Sequence, residues 1–369
     1  MSAAAPARAH LDALTGIRGL AAWLVVFYHI RLSLRDLVPG FVIDGLGKGY
    51  LAVDLFFMLS GFVLWYNYGA RLSSGGAGQW RAFYQRRLAR IWPLHAVILA
   101  ACVGFALLLA ATGRQAPGMP FAQLPLHILL VQNWGFTSAL AWNDPSWSIS
   151  TEFAAYLVFP LIVALAPWER LRLPALTGLS VLLLGALAGL FAYAGKSSLG
   201  DDISHLGLGR CLLEFWLGNC ACLIWQRLPR GGWIATGCAA GAAALLAACL
   251  GAGVAEIWFV PAALLLALLA LLGLSLGRGV VVKALSSRPL VYLGEISYAT
   301  YLAHFLLFKL YKLAFVDASL QLDWTALGGF AALLFAVSAF LYHGLEKPAQ
   351  RWINGLKRPL QAGCSSAAA

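Results

Sequence analysis

Charged residues are scarce in this chain. Only 11% of its 369 residues are Asp, Glu, Lys or Arg, whereas about a quarter of the residues in a soluble domain are charged. Hydrophobic residues make up 61% of the chain, and the mean hydropathy is +0.78. These values exclude a water-soluble globular protein and predict a helical protein that crosses a lipid bilayer many times.

Acidic residues are fewer than basic ones, and no cysteine pattern indicates a metal site. The chain has 26 Lys and Arg against 15 Asp and Glu, which gives a net charge of +11. In a membrane protein this excess is explained by positive cytoplasmic loops, so we predict no nucleic-acid partner. The seven cysteines lie mostly in apolar segments without zinc-ligand spacing. We interpret them as small core residues and predict no metal.

Apolar stretches long enough to cross a bilayer recur along the chain. A spanning helix needs about 20 mainly apolar residues. We predict an all-α polytopic protein with about ten transmembrane helices, at 14–33, 50–68, 91–112, 147–167, 174–194, 206–226, 233–251, 256–276, 290–312 and 324–345. The segment 121–136 is too short and too interrupted by proline and glycine, so we predict a re-entrant or interfacial segment there. The predicted membrane domain is 13–355, between cytoplasmic tails at 1–12 and 356–369.

The distribution of positive charge predicts the topology. With the N-terminus in the cytoplasm, most of the 26 Lys and Arg fall in cytoplasmic segments, as the positive-inside rule requires. The outer loops then carry few cations and several acids. The chain is therefore predicted to have both termini inside and to reside in a bacterial cytoplasmic (inner) membrane.

The first predicted helix contains two polar residues that are costly in hydrocarbon, Arg18 and His29. Eleven residues correspond to about three helical turns, so both side chains lie on one stripe, roughly 16 Å apart in depth. A permanent cation thus lies near one membrane face and a titratable base near the other. The structural alternative is an arginine that reaches the interface and a hydrogen-bonded, buried histidine.

Ionisable groups on five predicted helices lie at a similar depth, in the outer half of the membrane. Such groups must face each other or water, so we predict a shared cavity. The groups are His29, Asp54, Glu152, His304 and the pair Arg210 and Glu214. A histidine beside carboxylates keeps an oriented, basic nitrogen, as a general base requires.

Each of these groups also has a structural interpretation. Asp54 can pair within the helix bundle, and Glu152 can be a favourable first-turn acid. Arg210 and Glu214 are four residues apart and can form an ion pair on one helix. His304 is either a packing residue or a member of the site.

A cluster of arginines precedes the third predicted helix, within FYQRRLARIWPLH at 83–95. Arg87 and Arg90 are three residues apart and share a helix face. The guanidinium fork suits phosphate groups. Ordinary positive-inside anchoring is the alternative.

Six motifs together give the chain a family resemblance. They are R-x10-H (Arg18, His29), VDLFFMLSGF (Val53 to Phe62), R-x-x-R-I-x-P (Arg87 to Pro93), WSISTEF (Trp147 to Phe153), G-x-I-S-Y-x-x-Y-L-x-H (Gly294 to His304) and E-x-P (Glu346 to Pro348). Over about 12–355, the chain resembles the bacterial integral-membrane acyltransferases of type three. It is similar to the stand-alone branch, which has no fused periplasmic hydrolase-like domain.

The resemblance implies transfer of an acyl group, usually acetyl, from cytoplasmic acyl-CoA to a hydroxyl of a carbohydrate at the outer side. The carbohydrate can be a surface polysaccharide or a lipid-linked glycan. We predict His29 as the general base, with Asp54 and Glu152 orienting it or the incoming hydroxyl, and Arg18, Arg87 and Arg90 binding the donor. Further predicted substrate-binding residues are Ser60, Trp147, Ser148, Tyr298, Tyr301, His304 and Arg210.

Two other functions are compatible with intramembrane charges. A transporter can use His29, Asp54 and Glu152 as a proton relay, although no paired, interrupted helices in inverted halves are visible. A non-catalytic membrane scaffold leaves the buried charges without a role. Turnover of acyl-CoA to free CoA distinguishes the enzyme from both.

Overall fold

The computed structural model describes residues 9–73, 76–228, 232–252, 256–274, 280–317 and 319–356. All regular structure in these ranges is helical, and they contain no strand. This confirms the all-α prediction. Of the predicted cytoplasmic tails, residues 1–8 and 357–369 lie outside the described residues.

Fifteen α-helices make up the described part of the chain. They are α1 Ala9–Ile30, α2 Gly40–Gly47, α3 Ala52–Ser73, α4 Ala77–Ala111, α5 Leu124–Ile128, α6 Ser146–Leu165, α7 Leu173–Tyr193, α8 Ile203–Arg227, α9 Gly232–Ala252, α10 Glu256–Leu274, α11 Val280–Leu285, α12 Arg288–Glu295, α13 Ser297–Phe315, α14 Trp324–Leu341 and α15 Lys347–Gly355. A π-helical turn, Tyr342–Glu346, joins α14 to α15.

The helices agree with a polytopic membrane protein. In the described residues, eight helices are long and apolar enough to cross a membrane, or nine if α12 and α13 form one broken span. The remaining predicted span, 233–251, corresponds to α9. Its apolar stretch, Trp233–Cys249, is shorter than those of the other spans. The orientation of the termini, by contrast, stays a prediction.

The predicted span 290–312 is not one straight helix. It consists of α12 and α13, which meet at an angle of 63°. The Ser297 hydroxyl donates to the Gly294 carbonyl at 2.7 Å across the break, so the bend is held by a local hydrogen bond. The first turn of α13 consequently points into the protein interior.

The segment predicted as re-entrant or interfacial forms a 3-10 turn, Phe121–Gln123, followed by the five-residue α5. It lies against α4: the Trp92 indole donates to the Ile128 carbonyl at 3.1 Å, and His95 Nε2 lies 2.8 Å from the His127 carbonyl oxygen. A helix this short cannot span a membrane.

Close glycine contacts position the helices that carry the site. Helix α1 packs against α3, α12 and α13, and a Cβ on Gly19 would collide with the backbone at Gly294. Likewise, a Cβ on Gly61 of α3 or on Gly218 of α8 would collide with the other helix's backbone. Small residues allow such close approach between membrane helices.

Candidate active site

A cavity of about 780 Å³, its open mouth included, lies between α1, α3, α4, α6 and α13. Arginine side chains, one carboxylate and several hydroxyl groups share its wall with apolar side chains. Eight of the residues predicted as site residues line it: Arg18, Ser60, Arg87, Arg90, Ser148, Glu152, Tyr298 and Tyr301. The structure thus brings the predicted donor-binding arginines together in one cavity.

One of the three cavity arginines already has a carboxylate partner. Arg90 forms an ion pair with Glu346, which is 1% exposed and ends the π-helical turn. The Arg90 guanidinium also lies 5.2 Å from the centre of the Tyr298 ring. The E-x-P motif therefore contributes the acid that neutralises Arg90.

The other two cavity arginines make no ion pair with the described residues. Arg87 donates to the Tyr68 hydroxyl at 3.3 Å and lies against the rings of Tyr68, Phe83 and Tyr156. Its Nε is buried and has no hydrogen-bond acceptor among the described residues. Because a charge in a membrane protein needs a counter-charge or water, this geometry suits an anionic ligand.

Glu152 is the one acidic residue among the cavity's lining residues. The Tyr156 hydroxyl, one helical turn further along α6, donates to it at 2.6 Å. Tyr156 in turn lies 3.4 Å from Ser60 Oγ. The lining of the cavity therefore carries more positive than negative charge even with Glu152 ionised.

His29 lies at the other end of α1 and does not line this cavity. Its Nδ1 lies 2.9 Å from the Val25 carbonyl oxygen and 3.2 Å from Nε2 of the buried His304. His304 Nδ1 lies 3.2 Å from the Thr300 carbonyl oxygen. The structure thus pairs the two predicted histidines directly.

These contacts assign the ring protons of the neutral histidines. A carbonyl oxygen only accepts, so Nδ1 of each ring must carry a proton. His304 Nε2 is then unprotonated and accepts from His29 Nδ1. His29 Nε2 is consequently left with a free lone pair, and it has no hydrogen-bond partner among the described residues. A base that accepts a substrate proton requires this tautomer.

Asp54 belongs to a different cluster. Arg210 donates from Nε and Nη2 to the two Asp54 oxygens at 2.8 and 2.6 Å, and from Nη1 to the Leu199 carbonyl at 2.7 Å. Both charged side chains are at most 1% exposed. Glu214, the partner predicted for Arg210, also forms an ion pair with it, at the longer distance of 4.0 Å. Trp147 packs beside this pair, with its ring centre 5.6 Å from the Arg210 guanidinium.

The ionisable groups at similar depth therefore do not share one cavity, contrary to the expectation. The structure distributes them over the His29–His304 pair, the Asp54–Arg210 pair and the arginine-lined cavity that holds Glu152. Residue counting along a helix determines depth, but the direction that a side chain faces depends on which neighbours the helix packs against. His29, Asp54, Trp147, His304 and Arg210 consequently lie outside the cavity lining.

Aromatic side chains separate the cavity from the histidine pair. The ring of Tyr301, a cavity residue, lies 6.0 Å from that of His304 and 5.9 Å from that of Phe56. The Tyr301 hydroxyl is 2.8 Å from Ser148 Oγ and donates to the Pro145 carbonyl at 3.0 Å. The Tyr301 ring thus lines the cavity and also lies beside His304 of the histidine pair.

Glu346, Tyr156, Tyr68 and Phe56 belong to the site but were not predicted as site residues. Glu346 and Phe56 fall inside matched motifs, so the signal was present but did not indicate a role. Tyr156 carries no signal beyond its helical spacing to Glu152, and Tyr68, which lies on another helix than Arg87, carries none. Within the described residues, no group of three or more His, Cys, Asp and Glu side chains is arranged to hold a metal ion.

The fold and the site define the class of protein: a helical membrane protein with a basic cavity and a histidine pair. Comparison with known proteins shows the family. The chain belongs to the acyltransferase domain family (Acyl_transf_3), whose model matches residues 11–343. It is 33% identical over 389 aligned positions to acyltransferase MdmB of Streptomyces mycarofaciens, covering 96% of this chain and 95% of that protein. This membrane protein is therefore an acyltransferase.

Two further relatives cover less of the chain. Protein 2 in the picA locus of Rhizobium radiobacter is 30% identical over 193 positions, 47% of this chain and 93% of that protein. The Bacillus subtilis protein with the provisional name peptidoglycan O-acetyltransferase YrhL is 24% identical over 234 positions, 58% of this chain and 33% of that protein. No solved structure matches the chain.

Proposed function

We propose that this protein is a membrane O-acyltransferase that moves an acyl group, most simply acetyl, from cytoplasmic acyl-CoA to a carbohydrate hydroxyl at the outer side of the inner membrane. The observation that carries the proposal is the basic cavity, in which three arginines face a single carboxylate, Glu152, and Arg18 and Arg87 form no ion pair with the described residues. Coenzyme A supplies the missing negative charge through its phosphates.

In this proposal the three cavity arginines bind the donor. A guanidinium presents two parallel N–H groups to a phosphate, which suits Arg87 and Arg90 near the predicted cytoplasmic end. Arg18 lies on α1 on the way to His29 and contacts the pantetheine or thioester part. Glu152, hydrogen-bonded by Tyr156, positions the arginine side chains and limits their mutual repulsion.

The chemical step uses His29 as the base. The acceptor hydroxyl oxygen attacks the thioester carbonyl carbon, and its proton moves to His29 Nε2. The C–S bond then breaks, the sulfur takes the proton from the imidazolium, and free CoA thiol and the carbohydrate ester leave. His304 acts as a positioning residue. Its Nε2 accepts a hydrogen bond from His29 Nδ1–H, and this keeps the proton on Nδ1 and leaves the reactive Nε2 of His29 unprotonated.

The transporter alternative finds no support in the hydrogen bonds of the described residues. A proton relay needs His29, Asp54 and Glu152 to exchange protons with one another. Asp54 is instead held at both oxygens by Arg210, and Glu152 lies with the arginines. We therefore do not propose transport.

The test uses inside-out vesicles from cells that produce the protein, because such vesicles retain the endogenous acceptor and expose the cytoplasmic face. Vesicles with wild-type protein, with His29→Ala and without the protein receive radiolabelled acetyl-CoA. We expect label in a carbohydrate fraction, and matching release of CoA thiol, with wild type alone. Equal labelling in all three overturns the proposal.

A further inference from the structure

The wall between the donor cavity and the histidine pair consists of two aromatic rings with different freedom. Tyr301 is 5% exposed and held by hydrogen bonds to Ser148 and Pro145. Phe56 is half-buried, and its ring contacts no aromatic ring but that of Tyr301 among the described residues. One ring is therefore fixed, whereas the other is held by packing alone.

Phe57, the next residue on α3, provides the comparison. It is 2% exposed and packs edge-on against the Trp147 ring at 5.8 Å. Adjacent residues on a helix point about 100° apart. Phe57 therefore faces another way than Phe56: it also lines the cavity, but Trp147 anchors its ring beside the Asp54–Arg210 pair. Phe56 is therefore the wall residue whose ring can be shortened by substitution without breaking a hydrogen bond or a contact with the Asp54–Arg210 pair.

The Tyr301 ring, on which Phe56 packs, lies 6.0 Å from the ring of His304, which is the partner of His29. In this structure His29 is outside the cavity lining, and Tyr301 and Phe56 are in it. The reacting carbonyl must therefore lie at this wall, and the acyl tail beyond it must occupy space next to Phe56. Of the other apolar lining residues on α3, Leu59 lies about one turn and Val63 about two turns further along the helix from Phe56.

We propose that Phe56, packed on the fixed ring of Tyr301, forms the acyl-chain stop of the donor site and selects short acyl groups. This inference rests on the proposed function, because it assumes an acyl-CoA donor in the cavity. Phe56 is here a specificity-determining residue. The bulk of its ring sets the length of tail that fits when the carbonyl faces the base.

The experiment is a competition between acetyl-CoA and butyryl-CoA in the same inside-out vesicles, each donor with its own radiolabel. The ratio of the two labels in the carbohydrate fraction equals the ratio of the two kcat/KM values. It does not depend on how much protein folds or on which acceptor is used. The variants are Phe56→Ala, Phe56→Leu, Tyr301→Phe and the matched cavity control Val63→Ala.

We expect Phe56→Ala to raise the butyryl-to-acetyl ratio about tenfold, because two added methylene groups gain apolar contacts where the ring was. Phe56→Leu should raise it by less. Tyr301→Phe keeps the ring and Val63→Ala enlarges the cavity about two turns along α3 from Phe56, so both should leave the ratio within about twofold of wild type.

Three results overturn the inference. An unchanged ratio in Phe56→Ala, or in Phe56→Leu if the alanine variant is inactive, removes Phe56 as the stop. A change in Val63→Ala equal to that in Phe56→Ala places the acyl tail elsewhere in the cavity. No label above protein-free vesicles with wild type removes the proposed function itself, which distinguishes its failure from that of the inference.

Discussion

Two sets of arginines lie among the helices, and they differ in how completely their charges are matched. Arg210 is 1% exposed, and all three of its donor nitrogens are used: two on the Asp54 carboxylate and one on the Leu199 carbonyl. Arg18 and Arg87 face the cavity without an ion pair among the described residues, and a buried Arg87 nitrogen there has no acceptor. Every nitrogen of Arg210 thus has a partner, although both oxygens of the neighbouring Glu214 accept no hydrogen bond from the described residues, whereas Arg87 itself has a buried nitrogen without an acceptor.

The difference indicates which intramembrane charges are structural and which are functional. The surroundings of Arg210 extend this comparison, because Leu199 also donates its N–H to Glu256 at 2.6 Å, and Glu256 binds Lys48 at 2.9 Å. This network fastens the loop before α8 to α10. An arginine whose nitrogens all have partners within the protein supports the fold, and a cavity arginine with an unpartnered nitrogen indicates a ligand.

The largest expected effect falls on His29, which belongs to neither set of arginines. General base catalysis supplies about 10²–10⁴-fold in rate. We expect His29→Ala to lose acyl transfer by that factor. Beside the cavity wall, the described residues offer no other imidazole nitrogen with a free lone pair. CoA affinity, measured by calorimetry on the purified variant, should stay as in wild type because His29 is outside the cavity. Near wild-type transfer contradicts the assignment.

Arg210→Ala should have the next largest effect, and it should be on stability. Removing one partner of a buried ion pair leaves the other uncompensated, at a cost of about 3–5 kcal/mol. Thermal unfolding of the purified protein in the same detergent measures the loss. Arg87→Ala is the matched control, because Arg87 has no ion-pair partner to leave unpaired. Equal unfolding temperatures of the two variants would contradict the distinction between a structural and a ligand-binding arginine.

Replacing both partners of the structural pair sharpens the comparison further. Apolar residues of similar volume often replace a buried ion pair at little cost. The double variant Asp54→Leu with Arg210→Met should therefore recover much of the stability that Arg210→Ala loses. The Leu199 carbonyl still loses its donor and the buried Glu214 its counter-charge, so recovery should be partial. A double variant less stable than Arg210→Ala would show that the charges themselves are needed.

The smallest expected effect is that of lysine in place of the cavity arginines. Arg87→Lys keeps the charge but removes the planar pair of donors, so CoA affinity should fall roughly three- to tenfold. Arg90→Lys should weaken binding less, because Glu346 already takes part of the Arg90 charge. The affinity of each variant for CoA is measured at the same fixed salt concentration. Affinity equal to wild type in both variants leaves the cluster as a topology signal alone.

The helices and most of the cavity residues were predictable from the sequence. Hydropathy and length predicted the spans, and the matched motifs contain thirteen of the cavity's sixteen lining residues, from Arg18 to Tyr301. The pair of Arg210 with Glu214 was predictable from their spacing, but the closer partner Asp54 was not, because it depends on the helix crossing at Gly61 and Gly218. The 63° break at 296 was also missed, since hydropathy is continuous across it.

The pairing of Arg90 with Glu346 shows the same limit. The two residues are far apart in the chain, and a π-helical turn places the acid beside α4. A motif marks such residues as belonging to the family pattern, but only the packing of α15 and the π-helical turn against α4 shows what Glu346 contacts.

The most direct test of the account measures CoA affinity by calorimetry in two variants, one from each arginine set. Arg87→Ala removes an unsaturated cavity arginine, and Asp54→Leu with Arg210→Met removes the saturated pair. A charge-assisted hydrogen bond contributes about 1.5–3 kcal/mol, so Arg87→Ala should weaken CoA binding roughly 10- to 100-fold, with an unchanged unfolding temperature. The double variant should bind CoA as wild type does. Wild-type affinity in Arg87→Ala, with lost affinity in the double variant, would contradict the account.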